Sequence, residues 1–415
     1  MATVSWAAPP DNPTQPLPGP IPPTSSPPTG FWRWFDPATA PFIPVPEIGI
    51  DPNGGTTLGL IPTWVRTDQN HEINRIIAPD VLYTPYFGFG AHGRVYGYSS
   101  GDEQWSLITG IKQRVERELN AEYQRGRLRE GRWSYNASLI YDRSGVSRFY
   151  GIGNDTPKSA ETNFTNQQER AQVQVGLNLA HAWQLLYTAR LQVTDVLPGT
   201  LNKIASIETR FSSGILGTNR LILNRLSINY DTRDDLTVPS RGMQLVAYAG
   251  VAGRTGLLND SMYSELGGDG RAFWPAARNT IIAAHLALRY LPTLHSVPFW
   301  ALSSVGGGDS VVGGYQPLRG YGTGRFYDRD SLSSSLEVRR KVWTVSASTS
   351  IDVEVTPFID VGRVFARSGT FPLSQLHHVY GVGVRGVARP FVVGYVDIGY
   401  GSEGVAAFTG LNYPF

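Results

Sequence analysis

Residue types able to carry chemistry are present in this chain, but not in catalytic spacing. The 7 histidines are scattered, and the adjacent pair His377 and His378, beside Gln375 and Leu376, reads as a solvated turn. There is no cysteine, which removes disulfides, thiol nucleophiles and thiolate metal sites together. Gly306, Gly307 and Gly308 are not followed by Lys-Ser/Thr, so they are not a phosphate loop. No metal-ligand spacing and no nucleophile elbow is present. A Ser/His/Asp group assembles in space and is not read from spacing. The expectation is a protein that is not an enzyme and holds no cofactor or metal. What remains is recognition chemistry. At the end of the chain Ala407, Thr409, Leu411, Tyr413 and Phe415 share one face at period two. Such a strand can add to an exposed sheet edge, with alternate side chains read in pockets.

The elements that must position these residues are strands. Leu226, Ile228 and Tyr230 alternate with Ser227, Asn229 and Asp231. Tyr380, Val382 and Val384 oppose Gly381, Gly383 and Arg385, and Val396, Ile398 and Tyr400 oppose Asp397. Apolar residues on one face with charge on the other describe a wall between lipid and a wet lumen. Charged residues are only 17% of the chain, Gly, Tyr and Trp are plentiful, and mean hydropathy is −0.19. A helical membrane protein would be more apolar, and no stretch approaches the ~18 consecutive apolar residues of a spanning helix. A net charge of +2 gives no concentrated basic face for nucleic acid.

Residues 1–50 carry 14 of the 29 prolines and read as a Pro-rich, extended linker, interrupted by an aromatic cluster at 31–35. The first 8 residues lack a basic start and a full apolar core, so the sequence is read as beginning inside or just after a signal peptide. Residues 51–415 are the barrel. About 360 residues at a repeat of roughly 20–24 give an all-β, transmembrane antiparallel β-barrel of about 16 strands. Residues 112–123 are good helix formers, with Val115, Leu119 and Tyr123 at four-residue spacing; flanking strand signals favour one long polar strand.

One segment carries a family resemblance. Leu318-Arg319-Gly320-Tyr321 resembles the Val-Arg-Gly-Phe/Tyr motif in loop six of the BamA/TamA family of outer-membrane barrels. The resemblance implies a loop folded back into the lumen, with Arg319 pairing inward carboxylates on the following strands. Glu337, within 334–338 and on one face with Ser333 and Ser335, takes the place of the family's glutamate, and Asp360, within 358–364, that of its aspartate. Tyr321, Phe326 and Tyr327 are expected to shield the pair. Residues 231–235 with Pro239 and Gly242 resemble a recurrent mid-barrel signature, and 149–157 a stretch common in short members.

The end of the chain looks like the carboxyl-terminal signal by which barrel precursors are recognised, with Leu411, Tyr413 and Phe415 as its readable face. Tyr413 and Phe415 are expected to face lipid near the periplasmic rim. Pro414 has no backbone donor and Gly410 packs poorly, so the seam between first and last strands is expected to be the weakest. The family's assembly members carry POTRA domains ahead of the barrel, and the 50 residues here are too short for one. The implied function is assisting insertion or translocation of outer-membrane proteins; the alternative is a passive pore or structural barrel. Implied partners are the lipid bilayer, the barrel-assembly machinery during biogenesis, and a separate periplasmic protein or client barrels, in the outer membrane of a Gram-negative-type bacterium.

Overall fold

The computed structural model describes residues 43–68, 73–307, 317–346, 350–366, 374–388, 391–410, 413 and 415. The aromatic cluster at 31–35, Leu411 and Pro414 lie outside these residues. One antiparallel sheet of 20 strands forms the wall. The first half runs β1 (Ile43–Asp51), β2 (Gly55–Thr67), β3 (Ile73–Ile77 and Asp80–Thr84), β4 (Gly88–Ser100), β5 (Glu103–Lys112), β6 (Arg117–Arg125), β7 (Trp133–Ser144), β8 (Thr162–Ala180) and β9 (Trp183–Pro198). The second half runs β10 (Gly217–Asp231), β11 (Gly242–Gly253), β12 (Ser261–Ala277), β13 (Thr280–Leu294), β14 (Asp330–Ser346), β15 (Ser350–Phe365), β16 (His377–Ala388), β17 (Phe391–Gly401) and β18 (Gly404–Gly410).

The 20 strands fill 18 positions in the wall. The two halves of β3 share one register against β4 across Ala78–Pro79, where proline cannot donate to the ladder. The short strand Arg148–Phe149 continues β7 along β8. The spacing arithmetic gave about 16 because it left β1 in the linker and because the wall repeats near the lower end of the assumed range. The barrel closes through an antiparallel pairing of β1 with β18. β1 begins inside the stretch read as linker. Pro44 and Pro46 fit there because a strand at a sparsely paired seam tolerates missing donors. Residues 112–123 form neither a helix nor one long strand. They are the end of β5, a turn with Val115 at φ +55°, and most of β6.

Alternation sets the two faces. On β10, Ser227, Asn229 and Asp231 are buried toward the lumen while Leu226 and Ile228 are exposed on the outside. Turns at one end are short, such as 278–279, where Asn279 takes φ +62°, a conformation asparagine tolerates. Trp133, Trp183, Trp274 and Trp343 stand exposed on the outer face beside these turns, as an interfacial girdle does. The other end carries the long loops, which marks it as the outer end. Among the described residues no helix is long and apolar enough to cross a membrane.

The outer mouth is roofed by loops. Phe149, Phe164, Val196, Ile207 and Phe299 form an apolar cluster under it, with Tyr327 packed alongside. Asn154, within the 149–157 motif, ties this roof to the wall. Its Oδ1 accepts from Val364 N (3.1 Å), its Nδ2 donates to Gln375 O (3.0 Å), and its carbonyl lies 2.9 Å from His377 Nε2.

Candidate functional site: the arginine network in the lumen

The segment 317–328 leaves the roof and descends along the lumenal face of β14–β17. Its bend is local: Leu318 adopts φ +61°, and its carbonyl accepts from Gly320 N (2.7 Å) and Tyr321 N (3.0 Å). Two glycines make the seat. A Cβ on Gly320 would lie 2.9 Å from Gly401 N, and one on Gly399 would lie 2.2 Å from Arg319 O. Any side chain at either position would push the loop off β17.

Arg319 is fully buried. Its Nε donates to Asp360 Oδ2 (3.0 Å) and its Nη2 to Asp360 Oδ1 (2.8 Å), the bidentate fork that suits a guanidinium. Asp360 Oδ2 also accepts from the Arg319 amide at 3.0 Å. Nη1 donates to Glu337 Oε1 and to Asp397 Oδ2, each at 2.7 Å, and Nη2 to Ser335 Oγ at 2.9 Å. The Phe358 ring lies 3.6 Å from the guanidinium carbon. The structure therefore brings Arg319 onto both carboxylates named from sequence.

It adds groups that sequence reasoning left unassigned. Asp397 is a third carboxylate on Arg319, and Arg385 chelates Glu337 through 2.9 and 2.7 Å bonds. Arg339 donates to Glu337 Oε2 at 2.9 Å. Three arginines thus face three carboxylates, and all six side chains are excluded from solvent. The signal was available: Asp397 and Arg385 are inward charges on apolar-faced strands. Alternation gives the side they face, but not the partner they meet across the lumen.

The shield differs in one member from expectation. Tyr321 and Phe326 pack beside the network with Leu318, Phe358, Val364 and Val379, while Tyr327 joins the roof cluster instead. His377 is not a solvated turn residue. It is the first residue of β16 and stacks on Phe326 with ring centroids 3.9 Å apart and planes within 11°. The stack on Phe326 and the contact of Nε2 with the Asn154 carbonyl hold the ring half-buried.

The end of the chain also departs from expectation. Tyr413 and Phe415 are in the lumen, not against lipid. Tyr413 donates to Glu354 Oε2 (2.9 Å) beneath the Arg339 guanidinium, 3.9 Å from its ring centre. Phe415 is buried with Phe273 and Ala283, 5.3 Å from the His285 ring, and its main-chain oxygen accepts from Arg339 Nη2 (3.3 Å). Period-two parity predicts a face only while the strand continues, and β18 ends at Gly410. The 231–242 motif helps hold the tail. Asp231 binds Arg129 (2.5 Å) and Arg233 (2.9 Å), Asp235 accepts from the amides of Thr237 and Val238, and Val238 packs against Val387 and Tyr413.

A closed barrel with a lipid-facing apolar wall and a loop ion-paired inside it defines an outer-membrane β-barrel of the infolded-loop class. The chain belongs to the Omp85 superfamily, whose domain matches residues 103–391. Among solved structures, the barrel resembles BamA from Haemophilus ducreyi lacking POTRA domains 1–3, with TM-score 0.52 and 13% identity over 85% of this chain and 75% of that one. CdiB from Acinetobacter baumannii matches at TM-score 0.45 and 11% identity, over 89% of this chain and 58% of that one. Wzi from Escherichia coli matches at TM-score 0.42 and 11% identity, over 90% and 83%. No curated protein sequence matches the chain significantly.

Proposed function

We propose that this barrel assists the insertion or translocation of other outer-membrane proteins by opening at its seam. The observation that carries the reading is an asymmetry of pairing. Among the described residues β1 and β18 share one registered pair, Ile50 with Ala407, whereas β1 matches β2 over its full length, Ile43 through Asp51. The Arg319 network ties β14, β15, β16 and β17 together beside that seam, a rigid frame against which one edge can part. Leu318, Arg319, Gly320 and Tyr321 with Glu337 and Asp360 hold the frame. Leu411, Tyr413 and Phe415 are the chain's own signal to the assembly machinery, a separate periplasmic protein delivers clients, and no catalytic step is involved.

The test is a disulfide between Ile50→Cys and Ala407→Cys, the chain having no cysteine of its own. Oxidised protein reconstituted in vesicles should fail to promote folding of a client barrel, and reduction should restore it. Full activity in the oxidised state would refute a seam gate. A census of outer-membrane barrels after depletion separates this function from a passive pore, which would leave the census unchanged.

A further inference from the structure

Most charges in the lumen and roof are paired. Among the described residues two arginine couples on the lipid-facing wall are not: Arg66 with Arg75 at the short-turn end, and a second at the long-loop end. Arg117 on β6 and Arg143 on β7 are direct cross-strand partners. Arg117 shares parity with exposed Leu119 and Tyr123, and Arg143 with exposed Tyr135 and Leu139, so both side chains leave the wall on its outer face. They stand one row beyond the Leu119–Tyr141 pair, at the long-loop end. Like charges placed opposite each other destabilise a ladder.

Nothing described in the protein relieves this. Among the described residues neither arginine has a carboxylate within the 4.0 Å of an ion pair. Among the described residues Arg117 bonds through Nη1 alone, donating to the carbonyls of Lys112 (2.8 Å) and Glu116 (2.7 Å). The Arg143 guanidinium donates no hydrogen bond among the described residues, and its Nε is buried without a partner. The nearby acids are engaged, face the lumen or stand beyond ion-pair distance. Glu116 is held by Lys112 (3.6 Å) and the Gly145 amide (2.6 Å), and Glu118 and Asp142 pair in register on the lumenal face. Glu169 stands opposite Tyr141, a row nearer the apolar band.

We propose that Arg117 and Arg143 bind a phosphate group of an outer-leaflet lipid. Two guanidinium forks on one spot offer bidentate donors in the geometry that phosphate oxygens accept. A phosphate between them turns the repulsion into attraction. The site sits where the apolar outer wall ends, the depth of a headgroup. Leu119 and Leu139 beneath it give the lipid's chains a continuous surface, which a free anion would not use.

The test is native mass spectrometry of the full chain in detergent, titrated with a bis-phosphorylated glucosamine lipid, the same lipid dephosphorylated, and inorganic phosphate alone. The phosphorylated lipid should bind at least about tenfold more tightly than the dephosphorylated one, and the Arg117→Gln/Arg143→Gln variant should lose that preference. The Lys/Lys variant should keep part of it. With no lipid present, the Gln/Gln variant should unfold in urea no earlier than the parent, since it removes a repulsion. If it does not fold, Arg143→Gln replaces it, since the Arg143 guanidinium makes no hydrogen bond or ion pair among the described residues; a several-fold loss is expected. Equal retention by parent and variant, or no preference for the phosphorylated lipid, would overturn the site. Equally tight binding of inorganic phosphate would make it a free-anion site and overturn the lipid assignment.

Discussion

The two sides of the lumen are built from different chemistry. Along β14–β17 the inward side carries the charges Glu337, Arg339, Asp360, Arg385 and Asp397, interlocked with the descended loop and closed to solvent. Along β5–β9 they are mostly amides and hydroxyls: Gln104, Gln124, Asn136, Gln172 and Gln174 are half-buried and bond mainly to neighbours on adjacent strands. A buried charge without its partner is strongly penalised, so the first side has one low-energy arrangement. An amide that loses its partner beside lumenal water takes a water instead. The first side is suited to holding a fixed frame, and the second to tolerating change in what lies against it.

The largest expected effect breaks the charged side. Arg319→Ala leaves Glu337, Asp360 and Asp397 with two arginines between them and uncovers the seat on Gly399. A loss of about 3–5 kcal/mol is expected, read as a shift of the urea midpoint of the folded barrel in detergent micelles. Arg319→Lys should recover little, because an ammonium cannot reproduce the fork on Asp360. A variant as stable as the parent would mean that the loop is held by its aromatic residues alone.

A smaller effect is expected at the tail. Phe415→Ala should lower stability by roughly 1.5–3 kcal/mol, the value of burying one large side chain. It should also leave more precursor unassembled in cells, measured by the heat-modifiable mobility shift of the folded form. If stability falls and assembly does not, Phe415 is a packing residue of the lumen and the signal lies elsewhere in the tail.

How far these features were legible follows from the range of the interactions behind them. Alternation is local, so the faces of Leu226–Asp231 and the inward aim of Asp397 could be read directly. The Arg319 pairing came through a motif, because the bond from Arg319 to Asp360 spans 41 residues and no period encodes it. The fold of the tail was misread because parity ends with the strand, and only contacts with Phe273 and His285 on distant strands show where it turns. The 112–123 helix pattern was a real propensity overridden by pairing on both sides of the hairpin. The start of the wall was hidden for a related reason: Pro44 and Pro46 argue against a strand anywhere except at an open seam.

The smallest expected effect sharpens the contrast between the two sides, and it needs double-mutant cycles in each. On the amide side Gln174 Nε2 donates to Thr188 Oγ1 at 2.9 Å, one bond between adjacent strands. Thr188→Val removes the acceptor, but the Gln174 amide is half-exposed to the lumen and can solvate there. Gln174→Leu with Thr188→Val replaces both partners by apolar groups of similar shape, a change that is often nearly neutral. The coupling between the two should stay below about 1 kcal/mol, within the range of a single neutral hydrogen bond. The Arg319→Ala/Asp360→Asn cycle should give a coupling of up to about 3 kcal/mol, because each single change strands a charge that the other would have matched. Urea midpoints for the parent and the six variants of the two cycles measure both terms under one condition. Comparable couplings on the two sides would mean that lumenal water screens the Arg319 network as well, and the picture of one fixed frame beside one adaptable wall would fail.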